Sequence, residues 1–265
     1  MDEQLHPGVR ERLDVLVAKN TLPLPVLPAA AASLISILER PRCELRDVAD
    51  VIHRDPTLTA HVLRIAGSPA YAAATKIVSL PQVIGRLGFA AIMQIALVVA
   101  SRTRVFKVPG FEAEVKSSFQ HSFTTALYAQ EIARLRRGAV DQAFIAGLLH
   151  DIGRPVVLQV LVDLHAEVGA ASCSVALIAA ASERHAEIGG SLVDSWALPA
   201  KVAEAVRMHH SPDGIDLAMV VALADSFSHG APDAAAAMAL HLYPEDLALI
   251  ASKAEVILQT VEVMA

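Results

Sequence analysis

Apolar helical segments, separated by proline and glycine, follow one another along this chain. No segment shows the alternation of apolar and polar residues that is typical of a β-strand. Proline lacks an N–H donor and its ring clashes with the preceding turn, so the breaks at residues 22–28, 67–69 and 108–110 must lie between helices. The sequence therefore predicts an all-α fold, a bundle of many helices.

Two helical halves are expected, because Val108-Pro109-Gly110 is the clearest break in the chain. Residues 1–108 form the predicted N-terminal half, and residues 109–265 form the half that holds most of the histidines. Further helices are predicted to start at Asp55-Pro56 and at Ser79-Leu80-Pro81. The remaining predicted helices cover about residues 2–19, 29–40, 44–53, 89–106, 111–137, 140–150, 155–169, 174–183, 185–196, 199–210, 214–229 and 244–263.

Composition and charge narrow the possible functions. The chain of 265 residues is 54% hydrophobic but only 4% aromatic, so its helices can approach each other closely. The 22 basic and 28 acidic residues give a formal net charge of −6. Nucleic-acid binding needs a basic surface, so we expect no nucleic acid as the main partner. The high apolar content also excludes an intrinsically disordered chain.

Hydropathy raises the question of membrane spans. The charge-free stretch between Lys19 and Glu39 contains three prolines, and the apolar runs at 87–101 and 168–182 hold 15 residues each. A spanning helix needs about 18 or more apolar residues, so we expect helices buried inside the protein and no membrane span. The N-terminal residues lack a basic and apolar leader, and we expect a cytoplasmic protein.

Histidines and aspartates of the second half point to metal chemistry. His150-Asp151 follows an apolar run at a helix end, which presents two types of metal ligand from one rigid element. Small residues flank the candidates and allow ligand-bearing helices to converge. The candidate metal ligands are His121, His150, Asp151, His185, His209, His210 and Asp225.

Neutral imidazoles and carboxylates suit one or two divalent ions such as Fe, Mn, Zn or Ni. A carboxylate between two ions ~3.5–4 Å apart allows water activation at one and stabilisation of a leaving phosphate oxygen at the other. A lone histidine on a helix is more often structural, and spacing alone leaves both interpretations open. His229 is expected to pair with Asp225, four residues earlier. The histidines assigned a structural role are His6, His53, His61, His165 and His241.

At these residues the sequence resembles the HD superfamily of metal-dependent phosphohydrolases, and more closely its HDOD relatives, over roughly residues 20–215. The first half carries a Leu-Pro-rich entry, Asp55-Pro56, Leu58, Leu63, Arg64, Ser68, Tyr71, Ser79, Ile84 and Leu87-Gly88. The second half carries Ala143-Phe144, residues 147–153, His185, Glu187, Gly189, Trp196, Leu198-Pro199 and His209-His210. The resemblance implies an all-α fold and a regulatory role in bacterial signal transduction.

Carried onto this chain, the resemblance implies the same metal ligands, with Asp151 bridging two ions. Arg154 stands where hydrolases of the HD-GYP type carry a lysine, and a guanidinium can hold a phosphate but does not donate a proton. The segment between His210 and Asp225 lacks the Gly-Tyr-Pro motif of those enzymes. In the first half, Gly67 stands where many HDOD sequences have Asn.

Two functions are therefore open. The first is a regulatory module with signalling proteins as partners, whose HD-like half is a scaffold or a sensor of metal or nucleotide. The second is a metal-dependent phosphohydrolase that acts on a nucleotide or another phosphoester, with Asp151 and Arg154 as catalytic residues. The missing lysine and Gly-Tyr-Pro motif favour the first function, and the complete ligand set favours the second. A nucleotide or phosphate is the expected small ligand.

Overall fold

The structure of the protein is a computed structural model that describes residues 5–19, 21–38, 40, 42–66, 79–101, 108–169 and 173–264. Within these ranges the chain is helical and contains no β-strand, so the predicted all-α fold is confirmed. The predicted break at 67–69 and the family features Gly67, Ser68 and Tyr71 lie outside the described residues.

Helices follow one another through short connections. They are α1 (Pro7–Ala18), α2 (Ala29–Leu38), α3 (Leu45–His53), α4 (Pro56–Ala66), α5 (Leu80–Ser101), α6 (Glu112–Leu135), α7 (Val140–Leu149), α8 (Gly153–Val168), α9 (Ser174–Ser195), α10 (Ala200–Met208), α11 (Asp216–Ser228), α12 (Ala234–Ala239), α13 (Pro244–Ala251) and α14 (Ala254–Met264).

Most helix boundaries agree with the sequence prediction. Pro56 begins α4, and the Asp55 carboxylate accepts the backbone N–H of Leu58 at 3.0 Å, as expected for a helix start. However, α9 runs unbroken where two helices were predicted to meet near Arg184, because no helix-breaking residue lies there. The helix predicted at 244–263 is two helices, α13 and α14, and α12 was not predicted.

The chain divides into two compact units. The first unit comprises Met1–Val26 and Arg104–Tyr243, and the second comprises Leu27–Thr103 and Pro244–Ala265. This grouping differs from the expected halves, 1–108 and 109–265, at both chain ends. Helix α1 packs on α8 and α14 packs on α4, so each terminal helix joins the unit that it contacts. A sequence break shows where a helix ends, but not which helices it will contact.

In the first unit, small residues occupy the closest helix contacts. Helix α6 packs against α7 and α11, and α9 packs against α8 and α10. A Cβ atom on Gly147 of α7 would lie 2.8 Å from the Cα atom of Ala126 on α6. A Cβ atom on Gly153, at the start of α8, would overlap the carbonyl oxygen of His185 on α9. These glycines allow the ligand-bearing helices to approach closely.

The proline-rich connector is anchored within the first unit. Residues 21–28 are not helical, as predicted from their prolines. Trp196, which directly follows α9, is 7% exposed, and its indole N–H donates to the carbonyl of Pro25 at 2.8 Å. This hydrogen bond satisfies the polar end of a buried indole. Trp196 is therefore a packing anchor, as the sequence suggested.

Two helical stretches, Leu80–Ala100 and Val140–Val168, are long and apolar enough to cross a membrane by length and composition alone. In the first stretch, half of the most apolar 18-residue window is buried inside the protein. In the second stretch, 78% of the corresponding window is buried. Buried core helices meet the same criteria. The second stretch carries His150 and Asp151 between α7 and α8. The absence of a membrane span stays a prediction.

We expect Gly147→Ala to destabilise the protein, because the added methyl group would meet the backbone of Ala126. Overpacking typically costs about 1–3 kcal/mol, against ~1 kcal/mol that alanine gains over glycine in a helix. Urea denaturation measures the change. Gly85→Ala is the matched control, since Gly85 also lies inside a helix, α5, and its Cβ atom would lie 3.7 Å from the nearest atom, Cδ1 of Leu45. Equal stability changes in the two variants would contradict close packing at Gly147.

Candidate metal centre

All of the predicted metal ligands lie in the first unit, within a helix or directly after one. They are His121 in α6, His150 and Asp151 after α7, His185 in α9, His209 and His210 after α10, and Asp225 in α11. The ligands thus come from five helices, and the structure brings all of them together.

The Asp151 carboxylate, 3% exposed, lies at the centre of this cluster. Its Oδ1 atom lies 3.0 Å from Nε2 of His185 and 3.9 Å from Nε2 of His209. Its Oδ2 atom lies 3.6 Å from Nε2 of His150 and 3.9 Å from Nε2 of His121. Each oxygen therefore faces a different pair of imidazoles, and this arrangement permits a carboxylate to bridge two ions.

Asp225 completes the side of the cluster that contains His121. Its Oδ1 atom lies 2.9 Å from Nε2 of His121 and 3.8 Å from Nε2 of His150. His229, one helical turn later, places Nδ1 3.4 Å from the same oxygen. The i, i+4 pairing of His229 with Asp225 agrees with the sequence prediction. His229 also forms, with His121 and Asp225, a group that could hold an ion, a role that was not predicted from the sequence.

Backbone carbonyls orient three of the buried histidines. In His150, His185 and His209, Nδ1 lies 2.6–2.8 Å from the carbonyl oxygen three residues earlier. Because a carbonyl oxygen only accepts hydrogen bonds, Nδ1 carries the hydrogen in each ring. In its neutral form each ring then has a lone pair on Nε2, which faces Asp151, and this is the form that binds a metal through Nε2.

These lone pairs face one another and face carboxylate oxygens. Nε2 of His185 lies 3.0 Å from Nε2 of His210 and 3.3 Å from Nε2 of His209. The buried Oδ1 atoms of Asp151 and Asp225 receive a hydrogen bond from the described residues only where Nε2 of His185 or of His121 carries a hydrogen. Acceptor atoms this close repel one another unless a proton or a cation lies between them. The donor set and these oxygens therefore fit one or two divalent ions.

The protonation states also fit metal ligands. Burial lowers the pKa of His150 and of His210. Burial also lowers the pKa of His209, and the neighbouring histidines act in the same direction, so that this pKa is about 3. Burial acts to raise the pKa of Asp151 and of Asp225, but the adjacent histidines outweigh it, so both pKa values lie below their usual range. The imidazoles named here are thus neutral at pH 7, and the carboxylates are ionised.

Arg154 lies beside the central carboxylate. Its Nε atom is 2.8 Å from Oδ2 of Asp151, and 35% of its side chain is exposed. The guanidinium is permanently charged and therefore stabilises ionised Asp151. Since a guanidinium has five N–H donors, the contact with Asp151 leaves others that can bind an anion. The structure thus places both predicted catalytic residues, Asp151 and Arg154, in direct contact.

The histidines predicted to be structural lie outside the three groups of described residues that could hold an ion. His6 accepts the backbone N–H of Gly8 at the start of α1, His165 is buried in α8, and His53, His61 and His241 are exposed or half-buried. Ser228 was not predicted from the sequence, and its Oγ atom lies 3.2 Å from Nδ1 of His121. Its position three residues after Asp225, on the same helix face, was the available signal.

The HDOD domain family matches residues 24–212 of this chain, which is most of its length. The chain therefore belongs to the HDOD family, and the resemblance inferred from its residues is confirmed. Among curated proteins, an uncharacterized protein of Treponema pallidum (strain Nichols) is 23% identical over 209 residues, or 76% of this chain. The chain spans only 40% of the length of that relative.

Solved structures share the fold. A proposed metal-dependent phosphohydrolase from Shewanella amazonensis SB2B superposes with a TM-score of 0.75 at 20% identity, over 98% of each chain. An HDOD domain protein with unknown function from Geobacter sulfurreducens gives 0.69 at 24% identity, over 97% of each chain. A proposed signal transduction protein from Marinobacter aquaeolei VT8 gives 0.64 at 24% identity, over 97% of this chain and 64% of that one. At these identities the likeness establishes the fold alone.

The lowered histidine pKa values predict how stability depends on pH. His209 has a folded pKa of about 3, below the unfolded value of about 6.5. Between these values the unfolded chain binds more protons, so the contribution of neutral His209 is complete above about pH 6.5 and is lost as pH falls toward 3. We expect His209→Asn to reduce this slope, which is at most about 1.4 kcal/mol per pH unit for one group.

Urea denaturation of chelator-treated protein from pH 7.5 to 4.5 measures this slope. Asparagine keeps an N–H donor near the position of Nδ1. His241→Asn is the control, because His241 is exposed and lies outside the cluster, and asparagine tolerates its positive φ of 56°. An unchanged slope in His209→Asn would contradict the prediction.

Proposed function

We propose that this protein is a cytoplasmic signalling module of the HDOD family, which binds divalent metal in its first unit and acts on partner proteins without hydrolysing a substrate. The main support is the convergence of imidazole Nε2 atoms on Asp151, whose buried Oδ1 atom lies 3.0 Å and 3.9 Å from two of them. Such a cluster favours a cation, because a cation removes the repulsion among these acceptors.

Two sets of ligands share Asp151. One ion would be held by Asp151 with His121, His150 and Asp225, and another by Asp151 with His185, His209 and His210. Borderline nitrogen donors combined with carboxylates suit Fe, Mn, Zn or Ni. When bound, such an ion would supply Lewis-acid activation of water and charge neutralisation.

The presence of arginine at position 154 favours a regulatory role over a hydrolytic one. Arg154 lies at the position where hydrolases of the HD-GYP type carry a lysine, and its ion pair with Asp151 adds a positive charge beside the carboxylate that would be shared by the two ions. A guanidinium does not release a proton near pH 7, so it provides no general acid for a leaving group. The chain also lacks the Gly-Tyr-Pro motif between His210 and Asp225.

A metal site built from five helices is suited to sensing whether a metal ion is present. Since each ligand-bearing helix contributes one or two donors, an ion binds tightly only when all of these helices are correctly placed. Metal binding would therefore favour one arrangement of the first unit over others, and a partner protein that contacts that arrangement would respond to metal. A nucleotide phosphate bound by Arg154 would affect the same arrangement of helices, because Arg154 contacts the carboxylate of Asp151.

The alternative function is a metal-dependent phosphohydrolase that acts on a nucleotide or another phosphoester. It is favoured by the complete ligand set and by the partial exposure of Arg154 beside Asp151. In this case Asp151 would hold the metal ions, and Arg154 would bind and neutralise the substrate phosphate.

We expect protein purified without chelator to contain stoichiometric transition metal, and Asp151→Ala to lose it, because this variant removes the oxygen atoms shared by both ligand sets. Elemental analysis by mass spectrometry measures the content. Asp163→Ala is the control, since Asp163 is an exposed carboxylate on α8 of the same unit. A wild-type protein without bound metal, even after incubation with Fe, Mn, Zn and Ni, would contradict the metal proposal.

Hydrolysis is tested on the metal-loaded protein. We expect no turnover of nucleotides, cyclic dinucleotides or simple phosphoesters, because the site lacks a proton donor at residue 154. Phosphate or nucleotide release above the level of Asp151→Ala would overturn the regulatory proposal and support the alternative, provided that Asp163→Ala retains the activity.

A further inference from the structure

A cleft of about 350 Å³ lies in the first unit, between the end of α6 and the first turns of α7, α10 and α11. Pockets that bind small molecules have volumes of about 300–1,000 Å³, so this cleft can hold a small organic molecule. The side chains of Ala133, Ala139 and Ala143 line it from the end of α6 and the start of α7, and their small size leaves the space open. The proposed metal ligands do not line this cleft.

One side of the cleft is held in place by Arg136, which directly follows α6. Its guanidinium donates to the two carboxylate oxygens of Asp216 at 3.0 and 2.6 Å, and its Nε–H donates to the carbonyl oxygen of Leu240 at 3.1 Å. The hydrogen bonds from Arg136 hold the pKa of Asp216 below its usual range, so this ion pair is formed at pH 7. Arg136 and Asp216 therefore neutralise each other, and Ile215 and Val220 add apolar surface beside them.

Helix α10 brings two charges to the cleft that the described residues leave unpaired. Lys201 and Glu204 lie one turn apart on α10, and both line the cleft. Residues at this spacing can form an ion pair, but neither makes a hydrogen bond or an ion pair with another residue that the structure describes. Gln142, in the first turn of α7, is half-buried in the same cleft, and its amide also lacks a partner among the described residues. The cleft thus offers an ammonium, a carboxylate and an amide to a ligand.

We propose that this cleft binds an aliphatic α-amino acid in its zwitterionic form. The carboxylate of the ligand pairs with Lys201 and its ammonium group with Glu204, while its side chain contacts the alanines at the end of α6 and the start of α7. The two charges of an α-amino acid lie a few ångströms apart, which matches side chains one helical turn apart. A ligand with a single charge would leave Lys201 or Glu204 partly desolvated without a partner, so the cleft favours a zwitterion over an amine or a carboxylate.

The cleft and the metal centre lie at opposite ends of two helices. Helix α7 begins at the cleft and leads to His150-Asp151, and α10 begins there and leads to His209-His210. The 10 residues of α7 span about 15 Å, so an amino acid in the cleft does not touch the metal ligands. Its role as a signal for the regulatory module rests on the proposed function, whereas its binding does not. If the protein takes up no metal but binds the amino acid, the proposed function fails and the assignment of the cleft stands.

Binding is measured on the full-length protein by titration with L-leucine, L-valine and L-alanine, followed by calorimetry and by the backbone amide signals in ¹⁵N–¹H correlation spectra. We expect saturable binding at millimolar concentration or below, with the largest shifts at residues 139–143, 200–204 and 215–217. No binding of these three amino acids, or shifts confined to other parts of the chain, would overturn the proposal.

Two analogues of leucine test the need for both charges. The first, 3-methylbutylamine, lacks the carboxylate, and the second, 4-methylpentanoate, lacks the ammonium group. We expect each to bind at least about 10-fold more weakly than L-leucine, because each loses one charged pair with α10. Equal affinity for L-leucine and either analogue would contradict recognition of a zwitterion.

Substitutions locate the binding in the cleft. Lys201→Gln and Glu204→Gln each remove the charge from an exposed side chain, and we expect each to weaken L-leucine binding about 10-fold. Ala139→Trp places a large side chain at the exposed start of α7, where it fills the cleft, and we expect it to abolish binding. Lys116→Gln is the matched control, since Lys116 is an exposed lysine of α6 that lies about 25 Å along that helix from Ala133. Wild-type affinity in any of the three cleft variants, or equal weakening in Lys116→Gln, would overturn the assignment.

Discussion

The burial of an ionised carboxylate among imidazole lone pairs is the constraint on which the first unit depends. An ionised carboxylate in the interior costs several kcal/mol unless opposite charge or hydrogen bonds compensate it. Asp151 has Arg154 on one side, and histidines surround the rest of its carboxylate. Because those histidines turn Nε2 inward, they add further acceptors and so increase the need for a cation. The same constraint explains why five helices must end or pass within a few ångströms of one residue.

Close helix packing makes that convergence possible. Bulky side chains between α6 and α7, or between α8 and α9, would move the ligands of the cluster apart. Gly147 and Gly153 lie at these contacts, where even a methyl group would meet backbone atoms. The low aromatic content of the chain thus corresponds to a structural need, since small side chains allow many helices to surround one polar site. The apolar composition reflects buried helices such as α7 and α8, between which the central ligands lie.

The candidate site could be predicted in large part from the sequence together with its resemblance to the HD superfamily. Each of the proposed ligands, from His121 to Asp225, lies in the cluster, although spacing alone had left a structural role for the histidines equally open. His229 and Ser228 were harder to assign. Their contacts with His121 depend on the direction of their side chains relative to α6, and spacing along α11 only shows that they share a face with Asp225. The grouping of α1 with α8 and of α14 with α4 also could not be read from the breaks at 108–110, because long-range packing decides it.

The sequence by itself determined the helical class, most helix boundaries, the family and the identity of the candidate ligands. These features depend on local properties: helix propensity, the positions of proline and glycine, and the types of residue at fixed spacing. Only the tertiary structure decided which nitrogen of each histidine faces the centre, which carboxylate oxygens face those nitrogens, and how Arg154 and Ser228 contact the ligands. Those features depend on distances and directions between helices far apart in the chain, which local preferences do not specify.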